Sequence, residues 1–285
     1  MILRTLRFVD ILLCELGIHD EPLRGHGGHP VESGRPAQGN PFGGIAAVGA
    51  DLGVVVAYGG LIPPAVLAMP THGWVNLHFS DLPRWRGAAP VQWAIREGDA
   101  TTASCVFNLE EGLDTGDVYS RVEVPIRRES AGELLSSMAE AGADQVLGVV
   151  DALAAGSATA TAQSSEGVTH ARRLEHVDGY VSFTHDAGYE DRIIRSVTPN
   201  PGAYTVAPGG ARMKLDKATP VDRDDLAPGQ LEVTKKQVTV GCASGALVLG
   251  KVAPAGKSWM DAAAWARGAR PSEDLRLGGE LEVER

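Results

Sequence analysis

The apolar positions of the chain change period several times, and each change marks an element. Val54-Val55-Val56-Ala57-Tyr58 is apolar at consecutive positions and closes on Gly59-Gly60, the pattern of a strand buried on both faces of a parallel sheet. Pro63 and Pro64 open a helical turn that carries Ala65, Val66, Leu67 and Met69. Trp74–His78 predicts a second strand, a helix runs from about Ala89 to Glu97, and Ser104–Leu109 and Val118–Val124 predict two further strands. Ser130-Ala131-Gly132-Glu133 is a capping box. It opens a long helix whose apolar stripe is Leu135, Met138, Ala139, Val146, Val149, Val150 and Leu153. Gly142 falls on the same stripe and permits a close approach there. Strands alternating with helices imply an α/β layer with a mostly parallel sheet.

The pattern then shifts. Residues 156–167 (GSATATAQSSEG) are small and polar, the composition of a linker. Beyond them lie one short helix, Tyr189–Val197, and strand-like segments at Ala203–Val206, Arg212–Leu215, Gln230–Val233, Gln237–Val240 and Ala246–Leu249. Turn signals such as Pro208-Gly209-Gly210 and Pro228-Gly229 separate them, as in a small antiparallel barrel. At the other end, residues 18–44 are rich in Gly, Pro and His, follow neither period, and read as loop or poorly ordered chain.

Composition narrows the function. Hydrophobic residues make up 44% and charged residues 22% of 285, which is a globular balance. The formal net charge of −10 excludes a general polyanion binder, so any nucleic-acid contact needs a local basic patch. Cys14, Cys105 and Cys242 are far apart and form no CxxC, so neither a disulfide framework nor a metal site is expected. No apolar run reaches membrane-spanning length. Asp10 interrupts the apolar start and no small-residue cleavage site follows it, so no signal peptide is expected, and a cytoplasmic protein is.

Candidate chemistry gathers after the second strand. Asn76 and His78 are two apart on a strand and project from one face as it ends, where open α/β sheets bind ligands. An amide and an imidazole side by side suit acyl transfer, because both can hydrogen-bond a carbonyl oxygen as it gains charge, and His78 can move a proton. Taken alone, the pair reads first as a strand end that merely satisfies loop backbone. In the loop after the third strand, Gly112 and Gly116 bracket Asp114, as if the backbone must bend to aim one carboxylate. A carboxylate beside an imidazole fixes its tautomer and supports its protonated form; acidic glycine loops are also common as solvated turns. No nucleophile elbow, phosphate loop or HExxH occurs.

AYGGLIPPAVLAMPTHGWVNLHFSDLPRWRGAAPVQWAIREGD, followed by LDTGD, resembles the methionyl-tRNA formyltransferase family. THARRLEHVDGYVSF and RIIRSVTPNPGAY are similar to the opening of that family's C-terminal barrel domain. The Asn-x-His pair with a later LDTGD is shared by folate-dependent formyltransferases in general; the LPRWRGAAP continuation and the appended barrel point to the tRNA branch.

The resemblance implies a Rossmann-like formyltransferase domain over residues 1–155 (1–44 atypical), a linker at 156–176 and an OB-like tRNA-binding barrel at 177–285. It implies 10-formyltetrahydrofolate as formyl donor, initiator methionyl-tRNA as acceptor and no metal; apart from the resemblance, no membrane partner and a monomer are expected. Asn76, His78 and Asp114 become the catalytic trio, and Ser80, Asp81, Leu82 and Pro83 the folate-contacting segment. Arg84, Trp85 and Arg86 either line the route to the tRNA acceptor end or anchor the next helix. Arg172, Arg173, Arg192 and Arg195 either hold phosphates or are solvated surface. The alternatives are a formyltransferase acting on an amino sugar or small amine, against which the C-terminal domain argues, and an inactive tRNA- or folate-binding remnant.

Two departures from the family pattern stand out. Asp81 occupies a position where the family normally carries Leu, so it either weakens donor binding or turns to water. Residues 1–44 lack the family's opening strand with its Gly-Thr-Pro-like turn, although Leu6–Leu13 supplies one candidate strand. A truncated or frame-shifted start is the expectation, with an apolar sheet edge exposed in consequence.

Overall fold

The computed structural model describes residues 8–12, 29–30, 49–56, 61–207, 210–272 and 274–279. The reading of 18–44 lies outside these residues except at His29–Pro30, as do the Gly59-Gly60 close and Pro208-Gly209. The chain divides into two units, one comprising Met1–Val91, Ala100–Ile126 and Leu134–Arg173, the other Gln92–Asp99, Arg127–Glu133 and Leu174–Arg285.

In chain order the first elements are β1 (Phe8–Leu12), β2 (His29–Pro30), β3 (Leu52–Val56), α1 (Pro64–Leu67), β4 (Trp74–His78), β5 (Arg86–Gly87), α2 (Pro90–Glu97), β6 (Thr101–Asn108), β7 (Val118–Pro125), α3 (Ala131–Ala154) and β8 (His170–Ala171). Six strands of the first unit form one sheet in the order β2-β1-β3-β4-β6-β7. Pairing is parallel from β2 to β4 and antiparallel from β4 to β7. The strand expected at Leu6–Leu13 is therefore present as β1, and it covers the edge of β3 that was expected to lie open.

The β3 run is buried as its consecutive apolar residues predict. Trp74, Val75 and Leu77 of β4 are at most 2% exposed, each contributing about 1.5–3 kcal/mol on burial. The predicted stripe on α3 is buried at Leu135, Met138, Val146, Val149 and Val150 and half-buried at Ala139 and Leu153, and Leu134, outside that stripe, is buried as well. Gly142 passes so near β4 that a Cβ there would lie 2.5 Å from Leu77 Cδ2, the close approach the stripe predicts. The Glu133 carboxylate accepts from the Ser130 N–H at 2.8 Å and from its hydroxyl at 2.9 Å, while the Glu133 N–H donates to the Ser130 hydroxyl, so the capping box forms. The proline-led turn is shorter than its apolar residues suggest, and Met69 is exposed.

The second unit carries α4 (Ala187–Ser196), β9 (Ala203–Val206), β10 (Arg212–Val221), β11 (Leu231–Val233), β12 (Val238–Gly241), β13 (Ala246–Pro254), β14 (Met260–Asp261) and α5 (Ala262–Ala269). Its antiparallel sheet runs β11-β12-β13-β10-β9, with β14 added to β13. Two strands are longer than the pattern indicates, because β10 and β13 stay paired from Met213↔Pro254 to Val221↔Ala246, beyond the polar residues that read as breaks. Helix α5 has no counterpart in the sequence reading.

Candidate active site

β4 lies mid-sheet, with parallel β3 on one side and antiparallel β6 on the other. Its last residues carry Asn76 and His78 on one face, opposite Phe107 and Cys105 of β6. His78 is 7% exposed, and the Phe107 ring meets it edge-on with centroids 6.2 Å apart. Its Nε2 lies 3.1 Å from the Trp85 carbonyl. A carbonyl only accepts, so Nε2 carries the hydrogen and this bond sets both tautomer and ring orientation. Asn76 Oδ1 is buried without a partner among the described residues.

Asp114 is 8% exposed and adopts φ 52°, a left-handed conformation costing a non-glycine residue about 1 kcal/mol. That turn aims the carboxylate back at the strand end. Oδ2 accepts the Gly87 N–H at 2.7 Å and stands 3.9 Å from His78 Nε2, beyond hydrogen-bond reach but within ion-pair distance. Gly87 has φ 121°, and a Cβ there would lie 2.6 Å from the Ala171 carbonyl oxygen, so a side chain would disturb the donor facing Asp114.

The Ser80–Pro83 segment is held by its own side chains. Ser80 is fully buried with its hydroxyl unpartnered among the described residues, and Leu82 packs on Ala103, Cys105 and Phe107. The Asp81 carboxylate, partly exposed, accepts from both Nε and Nη2 of Arg121 on β7, at 2.5 and 2.7 Å. That pairing raises the Arg121 pKa further. Beneath it, burial pushes the Cys105 thiol up to about 11.

The arginines separate by environment. Trp85 is 8% exposed, its N–H donating to the Thr169 hydroxyl at 2.9 Å, and the Arg84 guanidinium lies 4.4 Å from its ring centre. Arg86 donates to Gln163 Oε1. Arg172 and Arg173 are exposed. In the second unit, Arg195 is committed to Asp191 and to the Arg127 and Glu129 carbonyls, and Arg192 to the Arg96 carbonyl.

The sequence reading missed Gln163 and Thr169. Gln163 Nε2 donates to the carbonyls of Asp114 and Gly116, both at 2.8 Å, while its Oε1 serves Arg86. Neither residue belongs to a periodic run, and only their tertiary contacts mark them. Among the described residues no group of three or more His, Cys, Asp or Glu could hold a metal ion, and no helix is long and apolar enough to cross a membrane.

A formyl transferase family profile matches residues 38–150, and a formyl transferase C-terminal domain profile matches residues 173–270. The methionyl-tRNA formyltransferase of Acidothermus cellulolyticus is 44% identical over 250 residues, covering 82% of this chain and 77% of its own length. That of Mycolicibacterium gilvum is 46% identical over 254 residues, 88% of this chain and 81% of its own. Among solved structures, HypX from Aquifex aeolicus in complex with tetrahydrofolic acid superposes with a TM-score of 0.61 at 19% identity, over 78% of this chain and 40% of that one.

Proposed function

The chain belongs to the formyl transferase family, in its methionyl-tRNA formyltransferase branch, and we propose that it transfers the formyl group of 10-formyltetrahydrofolate to the α-amino group of initiator methionyl-tRNA. The observation that carries this reading is the placement of Asn76 and the buried His78 on one face at the end of β4, with the buried Asp114 carboxylate 3.9 Å from His78 Nε2.

The site suits such a donor. Asn76 Oδ1 on the strand end and Ser80 Oγ in the turn after it are buried polar atoms without partners among the described residues, and a buried polar group is stable only when hydrogen-bonded. The Ser80–Pro83 turn supplies the donor contact in this reading. The donor, when bound, supplies the formyl carbon, whose bond to N10 is exchanged for one to the methionine nitrogen as a proton passes from the amine to N10.

The residues of the chain do the rest. Asn76 Nδ2–H and His78 Nε2–H donate to the formyl oxygen as it gains negative charge, with His78 exchanging the Trp85 carbonyl for it. Asn76 Oδ1 accepts from the attacking amine. His78 carries the proton at its ring, and the Asp114 carboxylate, 3.9 Å from Nε2, stabilises the positive charge that then appears there. Burial of both groups keeps that interaction from being screened.

For the tRNA, Arg84 and the exposed Arg172 and Arg173 are the side chains assigned to phosphate or unstacked bases in this reading. Trp85 and Arg86 support the site from within, and Arg192 and Arg195 brace the second unit. The enzyme acts in the cytoplasm as a monomer in this reading.

Single-turnover transfer of labelled formyl to methionyl-tRNA tests it. His78→Ala, Asn76→Ala and Asp114→Asn should each lower the rate by roughly 10²–10³-fold, the cost of losing one charge-stabilising group. Full activity in His78→Ala would remove the proposal.

A further inference from the structure

The stretch after α3, which its composition marks as a linker, is stitched into the site in the first unit. Thr161 exchanges backbone hydrogen bonds with Val118 at the start of β7. The Thr169 hydroxyl accepts the Trp85 N–H and its carbonyl accepts the Arg86 N–H. β8 pairs with β5, and the Ala171 carbonyl accepts the Ala89 N–H. Between these anchors Gln163 makes four contacts with one side chain. Nε2 donates to the Asp114 and Gly116 carbonyls, and Oε1 accepts from Arg86 Nε at 3.2 Å and Nη2 at 2.7 Å. Arginine only donates and carbonyls only accept, so the orientation of the amide is fixed by its partners.

We propose that residues 161–171 form a strap that sets the Asp114 carboxylate against His78, with Gln163 as its positioning residue. The proposal rests on the role given to Asp114 above. Asp114 holds a left-handed φ of 52°, and such strain persists only where the surroundings over-determine it. The Gln163 amide clamps the backbone on both sides of Thr115. By holding Arg86 through its other end, it also ties that loop to the strand whose Gly87 N–H donates to the Asp114 carboxylate. One side chain thereby joins the loop bearing Asp114 to the segment whose Trp85 carbonyl orients His78.

The test is kinetic. Gln163→Leu removes all four contacts; Gln163→Glu keeps an acceptor for Arg86 but loses both donors to the carbonyls. Each should lower the single-turnover rate of formyl transfer about 10- to 100-fold, the scale of an ångström-sized misplacement, with KM for donor and tRNA changed less than about 3-fold. If Gln163 acts through Asp114, the loss should shrink to within about 2-fold when the same changes are made on Asp114→Asn. Should Gln163→Leu fail to fold by circular dichroism, Gln163→Glu supplies the reading.

An unchanged rate, or an equal loss on the Asp114→Asn background, overturns the strap. Where Asp114→Asn and His78→Ala have lowered transfer about 10²–10³-fold, leaving a rate that can still be measured, either result leaves the site assignment standing. Where those two variants are themselves fully active, the site assignment fails and the strap with it.

Discussion

Asp81 gives its carboxylate to Arg121 in a two-pronged pair, and both side chains are well exposed at 38% and 44%. Solvent screens such a pair, so Asp81→Asn should cost less than about 1 kcal/mol in a urea titration. Because the carboxylate faces β7, KM for the formyl donor should stay within about 2-fold; a larger rise would show that Asp81 meets the donor. Cys105 beneath it behaves differently. Its thiol, pushed up to about 11 by burial, stays protonated in the fold while the unfolded chain ionises near its ordinary value of about 8.5. The unfolded state then binds fewer protons, so stability falls as pH rises through the window from about 9 to 11, by the order of 1 kcal/mol per pH unit. Cys105→Ala should flatten that slope in melts at pH 8, 9 and 10. An unaltered slope would mean the thiol is not the titrating group.

At the scale of elements, α3 carries two glycines with opposite roles. Gly148 is exposed with nothing within 4 Å of an added Cβ, so Gly148→Ala should stabilise by about 0.5–1 kcal/mol through reduced backbone entropy. Gly142 faces Leu77 of β4, and Gly142→Val should destabilise by about 1–3 kcal/mol through overpacking. Thermal melts of the two variants should move in opposite directions. This contrast was half legible in the sequence, because the stripe placed Gly142 inward. The period-two pattern likewise placed Asn76 and His78 on one face, and the bracketed loop singled out Asp114. What escaped depends on tertiary pairing. β5 and β8 have two residues each and exist only through each other. β10 and β13 read as shorter strands because Asp216-Lys217 and Gly250-Lys251 interrupt their apolar runs while the ladder continues past them. Gln163 sits in a stretch with no period at all, so no local signal distinguishes it from its polar neighbours. The orientation of His78, set by the Trp85 carbonyl rather than by Asp114, is also a matter of how the chain returns on itself.

At the scale of the whole chain, one family profile matches residues 38–150 and another residues 173–270, and the chain carries one mixed sheet and one antiparallel sheet. The net charge of −10 works against a polyanionic acceptor, so methionyl-tRNA must be recognised by local basic side chains acting against the overall field. A small amine or amino sugar would need no such patch. The most direct measurement is therefore a side-by-side transfer assay with labelled 10-formyltetrahydrofolate, offering methionyl-tRNA and a nucleotide-linked amino sugar to the wild-type chain and to His78→Ala. The account predicts label on methionyl-tRNA alone and its loss, by about 10²-fold or more, in the variant. Label on the sugar but not on the tRNA, or binding of tRNA without transfer by the wild-type chain, would contradict it.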